Sequence, residues 1–214
     1  MYHWDWSVIV QFWPLFVAGL IKTVEVVTLT MATALVTGLL VAIARTSKHV
    51  VLRQLARWYI EVFRNVPLLL QLYIMYRATP LDSFWAGYVA LTLNLTAFLA
   101  EVYRSGLTSI GKGQWEGAQS LGMKEGHVLR RIIIPQAVRR VVPPLGTFWV
   151  SLFRDSAMVA YIGVAELTHA ALQVSIQTYR PFEAFTALAV AYMVLTYPQA
   201  RLVAWLHEKF RVEE

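Results

Sequence analysis

Five long apolar runs constrain this chain more than any other feature of its sequence. Each run has about the 20 residues that a helix needs to cross the hydrocarbon core of a bilayer. Together they occupy roughly half of the 214 residues, which leaves little chain for a separate soluble domain. They predict an all-α integral membrane protein with five transmembrane helices, in a single domain over residues 1–214. The runs are residues 26–44 (with an apolar lead-in over 12–21), 58–76, 84–103, 141–165 and 184–206.

The composition excludes several other classes of protein. Hydrophobic residues make up 57% of the chain and charged residues 15%, whereas soluble domains carry about 25% charged residues. There is no cysteine. These values exclude a disordered chain, a disulfide-stabilised secreted domain and a thiol-liganded metal protein, and they argue against a water-soluble enzyme. The histidines are scattered and no nucleic-acid motif occurs, so we expect neither a metal site nor a nucleic-acid partner.

The basic residues predict the orientation in the membrane. By the positive-inside rule, the loops rich in Lys and Arg face the cytoplasm, so the net charge of +6 reports topology rather than nucleic-acid binding. We expect the N-terminus outside, the C-terminus in the cytoplasm, and no cleavable signal peptide, because the N-terminal tail carries Asp5 and no basic residue. The predicted cytoplasmic basic residues are Arg45, Lys48, Arg53, Arg57, Arg104, Lys112, Lys124, Arg130, Arg131, Arg139, Arg140, Lys209 and Arg211.

The longest predicted cytoplasmic loop, residues 104–142, has the sequence of a structured segment. A short helix is predicted over residues 116–121, and Gly122 can end it because glycine adopts the left-handed conformation at low cost. A second helix with an apolar stripe is predicted over residues 124–134, and Pro135 is expected to close it. On this pattern alone, a basic amphipathic hairpin resting on anionic lipid headgroups is an alternative.

A partial nucleotide-binding motif occurs just before that segment. Residues 106–112 match the first seven positions of a P-loop, but Gly113 stands where the motif needs the Ser or Thr that binds magnesium. An apolar run precedes it, whereas a phosphate cradle needs a strand. We therefore expect no nucleotide or other cofactor on this chain. If ATP drives the protein, another chain hydrolyses it.

The spacing that follows resembles the EAA loop of ABC-importer permeases. Glu116-Gly117-Ala118, then three residues, Gly122, nine residues and Ile132-Ile133-Ile134-Pro135 stand where that family has Glu-Ala-Ala, three, Gly, nine, Ile, one, Leu, Pro. Two mild departures are Gly117 for Ala and Ile134 for Leu. Residues 63–69, 100–106 and 135–139 resemble the same branch, the short five-span permeases for polar amino acids. The resemblance covers about residues 15–206.

This resemblance implies a transmembrane permease subunit in a bacterial cytoplasmic membrane, with no catalytic site of its own. The loop would form a coupling helix that docks on a cytosolic ATPase, with Glu116 meeting a basic residue and Ala118 and Leu121 packing in the groove. The implied partners are two ATP-binding subunits that hold ATP and Mg²⁺, a second permease, identical or homologous, and an external substrate-binding protein. The implied coupling residues are Glu116, Gly117, Ala118, Leu121, Gly122, Ile132 and Pro135.

Polar residues inside the apolar runs are candidates for the substrate pathway, because ionisable groups are costly in a bilayer. Arg154 and Asp155 lie within the fourth run, and a break in the helix there would let both face a cavity. An arginine can bind a carboxylate with two hydrogen bonds, and an aspartate can bind an ammonium group. Structural alternatives are an interfacial pair of Glu101 with Arg104, and bracing of the bundle by Arg154 and Asp155. The candidates are Arg154, Asp155, Ser156, Glu101, Asn94 and Gln71.

These observations favour an ABC importer for polar amino acids. The first ten residues resemble glutamate/aspartate-type permeases, which favours an acidic substrate, with basic and neutral polar amino acids next. An ion-coupled secondary transporter, with Asp155 or Glu101 as its coupling carboxylate, is the main alternative. A non-transporting membrane scaffold is a third. The EAA spacing favours the first, because a secondary carrier needs no cytosolic coupling helix.

Overall fold

The computed structural model describes residues 2–210. Met1 and residues 211–214 lie outside the described residues, and they include Arg211, one of the predicted cytoplasmic basic residues. Residues 2–210 contain helices and connecting turns but no β-strand. A π-helical turn, Leu129–Ile133, precedes α8, and a 3-10 helix, Ser156–Ile162, follows it. The α-helices are α1 (Ser7–Gln11), α2 (Trp13–Thr46), α3 (Val50–Asn65), α4 (Leu68–Ala78), α5 (Ser83–Thr108), α6 (Lys112–Ser120), α7 (Glu125–Val128), α8 (Ile134–Asp155), α9 (Leu167–Thr178) and α10 (Pro181–Lys209).

Three of these helices, α2, α5 and α10, are long and apolar enough to cross a membrane. They contain the first, third and fifth predicted runs, and nearly all of the apolar lead-in belongs to α2. A fourth crossing arises if Glu125–Ile162 and Leu167–Thr178, which meet at 49°, count as one bent span. The all-helical membrane fold is thus confirmed, while the number of five crossings stays a prediction.

The core lies between α2 and α5, which approach closely. A Cβ added at Gly38 of α2 would lie 2.9 Å from the Cβ of Leu99 on α5, so a larger residue would push the two helices apart. The hydroxyls of Thr37 and Thr96 are 2.6 Å apart across the same contact. The residues buried in this core include Val26, Val27, Ala34, Leu91, Leu95 and Leu99.

The second predicted run, residues 58–76, is not one helix. It is divided between α3 and α4, because Pro67 has no N–H to donate to the Phe63 carbonyl and so interrupts the α-helical ladder. Two side-chain amides donate to that carbonyl instead: Gln71 Nε2 at 2.9 Å and Asn94 Nδ2 at 3.0 Å. Gln71 Nε2 also donates to the Val66 carbonyl at 2.7 Å. The break is therefore built into the packed structure rather than exposed to lipid.

Pro135 does not end a helix, so that prediction is wrong. It lies in the first turn of α8, where a residue without an N–H is tolerated. The π-helical turn Leu129–Ile133 comes directly before α8, so the chain remains helical from α7 onwards. The predicted cytoplasmic segment and the following membrane helix are thus continuous.

The fourth predicted run, residues 141–165, contains a change of helix type. α8 ends at Asp155, and the 3-10 helix continues to Ile162. Gly163, with a φ of 87°, ends the 3-10 helix in a conformation that other residues rarely adopt. The helix therefore changes type directly after Asp155, and whether Arg154 and Asp155 face a substrate cavity stays a prediction.

Candidate coupling surface and membrane cavities

The helix α6 is ended as the sequence predicted. Gly122 has a φ of 77°, the left-handed conformation that glycine adopts easily. Its N–H donates to the Gln119 carbonyl at 2.9 Å, and the N–H of Met123 donates to the Ala118 carbonyl at 3.2 Å. This pair of bonds is the Schellman motif, which satisfies carbonyls left open at a helix end. The turn after α6 is thereby fixed in position.

Ala118 anchors α6 to its own chain. It is 4% exposed and belongs to a buried cluster with Ile110, Val128 and Ile133. The resemblance places Ala118 against an ATPase, but within this chain its side chain is already covered. Ile132 is partly buried against the same cluster, and Pro135 is exposed in α8. Ala118, Ile132 and Pro135 therefore do not lie on the exposed side of α6, although the resemblance implies that they take part in coupling.

One exposed stripe along α6 and its C-cap consists of Glu116, Gly117, Ser120 and Leu121, which we call the coupling surface. All four are exposed, and Leu121 has 83% of its surface accessible. No neighbouring atom lies within 4 Å of a Cβ added at Gly117. One carboxylate beside one exposed apolar side chain can form a charged contact and an apolar contact with another protein.

Glu101 is the pathway candidate that borders a cavity between α5 and α8. That cavity is about 340 Å³ and also includes Arg64, Arg140, Phe98 and Phe148 in its lining. Glu101 forms the predicted pair with Arg104, whose Nε donates to Glu101 Oε2 at 3.0 Å. The interfacial ion pair is therefore present, and the carboxylate is also accessible to the cavity.

Arg154, Asp155 and Ser156 lie away from Glu101. α5 and α8 run antiparallel, since Gly106 meets Val141 and the rings of Phe98 and Phe148 are 5.6 Å apart. The junction at Asp155 is therefore about 15 Å along the helix axis from Glu101.

The three junction residues differ in what they can reach. Arg154 is exposed and donates from Nη2 to the Ser151 hydroxyl at 3.0 Å, while Asp155 is half-buried. Ser156 is fully buried, and its hydroxyl donates to the Phe153 carbonyl at 2.8 Å. Ser156 therefore stabilises the helix junction, and only Arg154 and Asp155 are accessible. The amide NH2 groups of Gln71 and Asn94 already donate to carbonyls at the Pro67 break, while Gln71 Oε1 has no hydrogen-bond partner among the described residues.

Glu166 is a buried acidic residue that the sequence reasoning missed. It precedes α9 and caps it, accepting a bond from the His169 N–H at 2.8 Å. The Tyr192 hydroxyl donates to its Oε2 at 3.1 Å, and the Thr23 hydroxyl lies 3.3 Å from the same oxygen. The carboxylate thus joins α2, α9 and α10. An acid shortly after Gly163, at the edge of an apolar run and directly before a helix, is the signal that would have found it.

At the predicted outer end, the N-terminal segment packs on the turn between α9 and α10. The Asp5 N–H donates to Glu183 Oε1 at 2.9 Å, and the Tyr2 hydroxyl bonds to the same carboxylate. Glu183 is fully buried by these contacts. Hydrogen bonds from the Ser7 hydroxyl and amide lower the pKa of Asp5 below its ordinary value. Tyr179, which is 88% exposed, remains free at this end.

Comparison with known proteins identifies the class of this fold. The chain superposes on a solved structure described as an amino acid ABC transporter with histidines, with a TM-score of 0.92 and 34% identity, covering 97% of this chain and 100% of that one. The methionine ABC transporter MetNI shares the fold, with a TM-score of 0.69 at 19% identity over 90% of this chain and 96% of that one. The fold is therefore that of an ABC-importer permease.

Two relatives match almost end to end. The glutamine transport system permease protein GlnP of Escherichia coli strain K12 is 33% identical over 217 residues, covering 98% of this chain and 99% of the relative. The probable glutamine ABC transporter permease protein GlnM of Bacillus subtilis strain 168 is 34% identical over 208 residues, with 95% and 96% coverage. Residues 34–212 match the family of binding-protein-dependent transport system inner membrane components, and the chain belongs to that family.

Proposed function

We propose that this chain is the membrane subunit of an ABC importer that carries glutamine or a closely related polar amino acid. The names of GlnP and GlnM support glutamine, a neutral polar amino acid, over the acidic substrate favoured by the first ten residues. The ion-coupled alternative loses support, because the family is that of binding-protein-dependent systems.

The observation that carries the proposal is the construction of α6. Its coupling surface is exposed, while Ala118 on the opposite side is held in a buried cluster with Val128 and Ile133. A force applied to Glu116 and Leu121 would pass through that cluster into the π-helical turn, which continues directly into α8. A docked helix of this kind transmits rigid-body motion between two proteins.

The proposed assembly has the partners that the family resemblance implies. Two cytosolic ATP-binding subunits, which hold the ATP and Mg²⁺, dock on the coupling surfaces of two permeases, identical or homologous. An external binding protein delivers the amino acid to the side where Tyr179 is exposed. The chain lies in a bacterial cytoplasmic membrane, with its N-terminus outside and its C-terminus in the cytoplasm.

Two separate places along the proposed pathway can contact the amino acid. Arg154 and Asp155 lie at the junction where α8 ends, toward the proposed outer side, and can bind the carboxylate and the ammonium group. Glu101 borders the cavity toward the proposed inner side. Gln71, Asn94 and Ser156 serve as structural hydrogen-bond partners, because their side-chain donors are committed to backbone carbonyls.

Uptake by the reconstituted complex tests the proposal. The chain, its ATPase, its partner permease and the cognate binding protein are placed in proteoliposomes, and uptake of radiolabelled glutamine is measured with ATP inside. Excess glutamine should compete strongly, and glutamate and arginine weakly. ATP-dependent uptake of labelled glutamate with none of labelled glutamine would return the acidic substrate and contradict the glutamine assignment.

A further inference from the structure

A second cavity, distinct in chemistry from the one beside Phe98 and Phe148, lies at the ends of α2 and α5 against α3. It has a volume of about 280 Å³, near the lower end of small-ligand sites, which begin at roughly 300 Å³. Its polar lining consists of Arg45, Arg57, Arg64, Arg104, Glu61 and Glu101. Four guanidinium groups face two carboxylates there, so the cavity carries an excess of positive charge.

The two carboxylates of this cavity are already paired. Arg57 Nε lies 2.7 Å from Glu61 Oε1, and Arg104 Nε lies 3.0 Å from Glu101 Oε2. Among residues 2–210, neither Arg45 nor Arg64 forms an ion pair. Arg64 instead lies over the ring of Phe98, with its guanidinium carbon 5.4 Å from the ring centre. Two guanidinium groups are therefore available for an anion.

An exposed apolar face of α3 adjoins the cavity. Leu55, Trp58 and Val62 are 62%, 61% and 47% exposed, and they follow one another at helical spacing. This stripe is about 100° around the helix from the one that carries Arg57 and Glu61. A ligand that places an anionic group among the arginines can therefore lay apolar chains along the neighbouring face.

We propose that this cavity binds the phosphate of an anionic phospholipid from the cytoplasmic leaflet. Arginine matches the geometry of a phosphate with paired hydrogen bonds, and basic cavities between membrane helices on the cytoplasmic side are suited to anionic headgroups. The neighbouring apolar face distinguishes a lipid from a free anion. An amino acid fits less well, because its ammonium group would face the excess of guanidinium groups. The proposal rests on the orientation given under Proposed function.

Native mass spectrometry of the purified permease–ATPase complex tests the proposal. Phosphatidylglycerol, phosphatidylcholine or inorganic phosphate is titrated onto the wild type and onto the double variant R45Q/R64Q. The double variant R139Q/R201Q is the matched control, since it removes two exposed arginines outside the cavity. We expect one phosphatidylglycerol per permease to be retained by the wild type and the control. R45Q/R64Q should bind it roughly 30-fold more weakly, at about fivefold for each basic residue lost.

Several results would overturn the proposal. One is equal retention of phosphatidylglycerol by the two double variants, and another is no preference for phosphatidylglycerol over phosphatidylcholine. A third is saturation by inorganic phosphate at the same concentration as by lipid. The last is that R45Q/R64Q loses the permease dimer but still binds the lipid. The variant R45K/R64K guards against misfolding, because it keeps the charge and should retain part of the affinity. Binding is read without transport, so failure here leaves the glutamine proposal standing, and failure of uptake leaves this measurement valid.

Discussion

The two ends of the bundle use acidic residues in opposite ways. Glu166 is buried at the meeting of α2, α9 and α10, with its carboxylate bonded to groups of its own chain. The carboxylate of Glu116 stands exposed on α6 and forms no ion pair among residues 2–210. One carboxylate thus holds the fold together, while the other is left free for a partner. Changes at these positions should separate stability from transport.

Replacing Glu166 should change the stability of the protein more than any of the other substitutions considered below. Replacing Glu166 with Ala removes the cap of α9 and the carboxylate to which the Tyr192 hydroxyl donates, while the Thr23 hydroxyl keeps the Gly19 carbonyl as its acceptor. The loss should cost about 2–4 kcal/mol. Thermal unfolding of the detergent-purified protein should show a clear fall in melting temperature, and Glu166→Gln should recover part of it. An unchanged melting temperature in Glu166→Ala would mean that the buried carboxylate contributes little to the packing of the three helices.

The next effect is on coupling, at Glu116. Glu116→Lys should reduce ATP-dependent uptake roughly 30-fold or more, because a charge pair with the ATPase becomes a repulsion. The melting temperature should stay unchanged, since the side chain is exposed. Glu125→Lys makes the same charge change at an exposed position on α7 and should keep most of the uptake. Similar losses in the two variants would argue against a specific contact by Glu116.

A moderate effect on uptake is expected at Asp155. Its side chain is half-buried, whereas Glu166 is fully buried and Glu116 is exposed. Asp155→Asn keeps the size of the side chain and removes the charge, so uptake should fall roughly tenfold if the carboxylate holds the substrate ammonium group. Membrane expression, measured by quantitative blotting, should change much less. Lost expression with normal uptake per molecule would assign Asp155 to bracing the bundle.

The smallest effect concerns the helix of the coupling surface itself. Gly117→Ala should stabilise α6 by about 0.5–1 kcal/mol, because alanine is the better helix former and the added Cβ meets no atom of this chain within 4 Å. Hydrogen exchange of the α6 amides should slow accordingly, with uptake within about twofold of the wild type. A sharp loss of uptake would show that the ATPase approaches the backbone at Gly117 too closely for a methyl group.

The sequence was most informative where local physics decides the structure. Apolar length located α2, α5 and α10, and the need for a left-handed residue placed Gly122 at the end of α6. It was least informative where distant residues compensate for a local defect. Gln71 and Asn94 are pathway candidates from sequence because their amides lie in apolar runs. In the structure both amide NH2 groups also donate to the carbonyl of Phe63, which Pro67 leaves without its α-helical donor, and the sequence pattern does not predict that contact.

Pro135 shows the same limitation in another form. Proline usually stops a helix, but here it falls at the start of α8 after a π-helical turn. Ala118 shows the same limitation at the coupling surface. The spacing of a motif does not tell which side of α6 is covered by other residues of the chain. The exposed Glu116 and the buried Ala118 were equivalent as motif positions, and only packing distinguishes them.

In the proposed mechanism, a separate ATPase drives transport by this chain through α6. The most direct measurement is glutamine uptake into proteoliposomes containing the full complex, with internal ATP or with an imposed proton or sodium gradient in its place. We expect uptake with ATP, none with a gradient alone, and loss of the ATP-driven uptake in Glu116→Lys. Uptake that follows the ion gradient without ATP, and persists in that variant, would show that α6 does not couple transport to an ATPase.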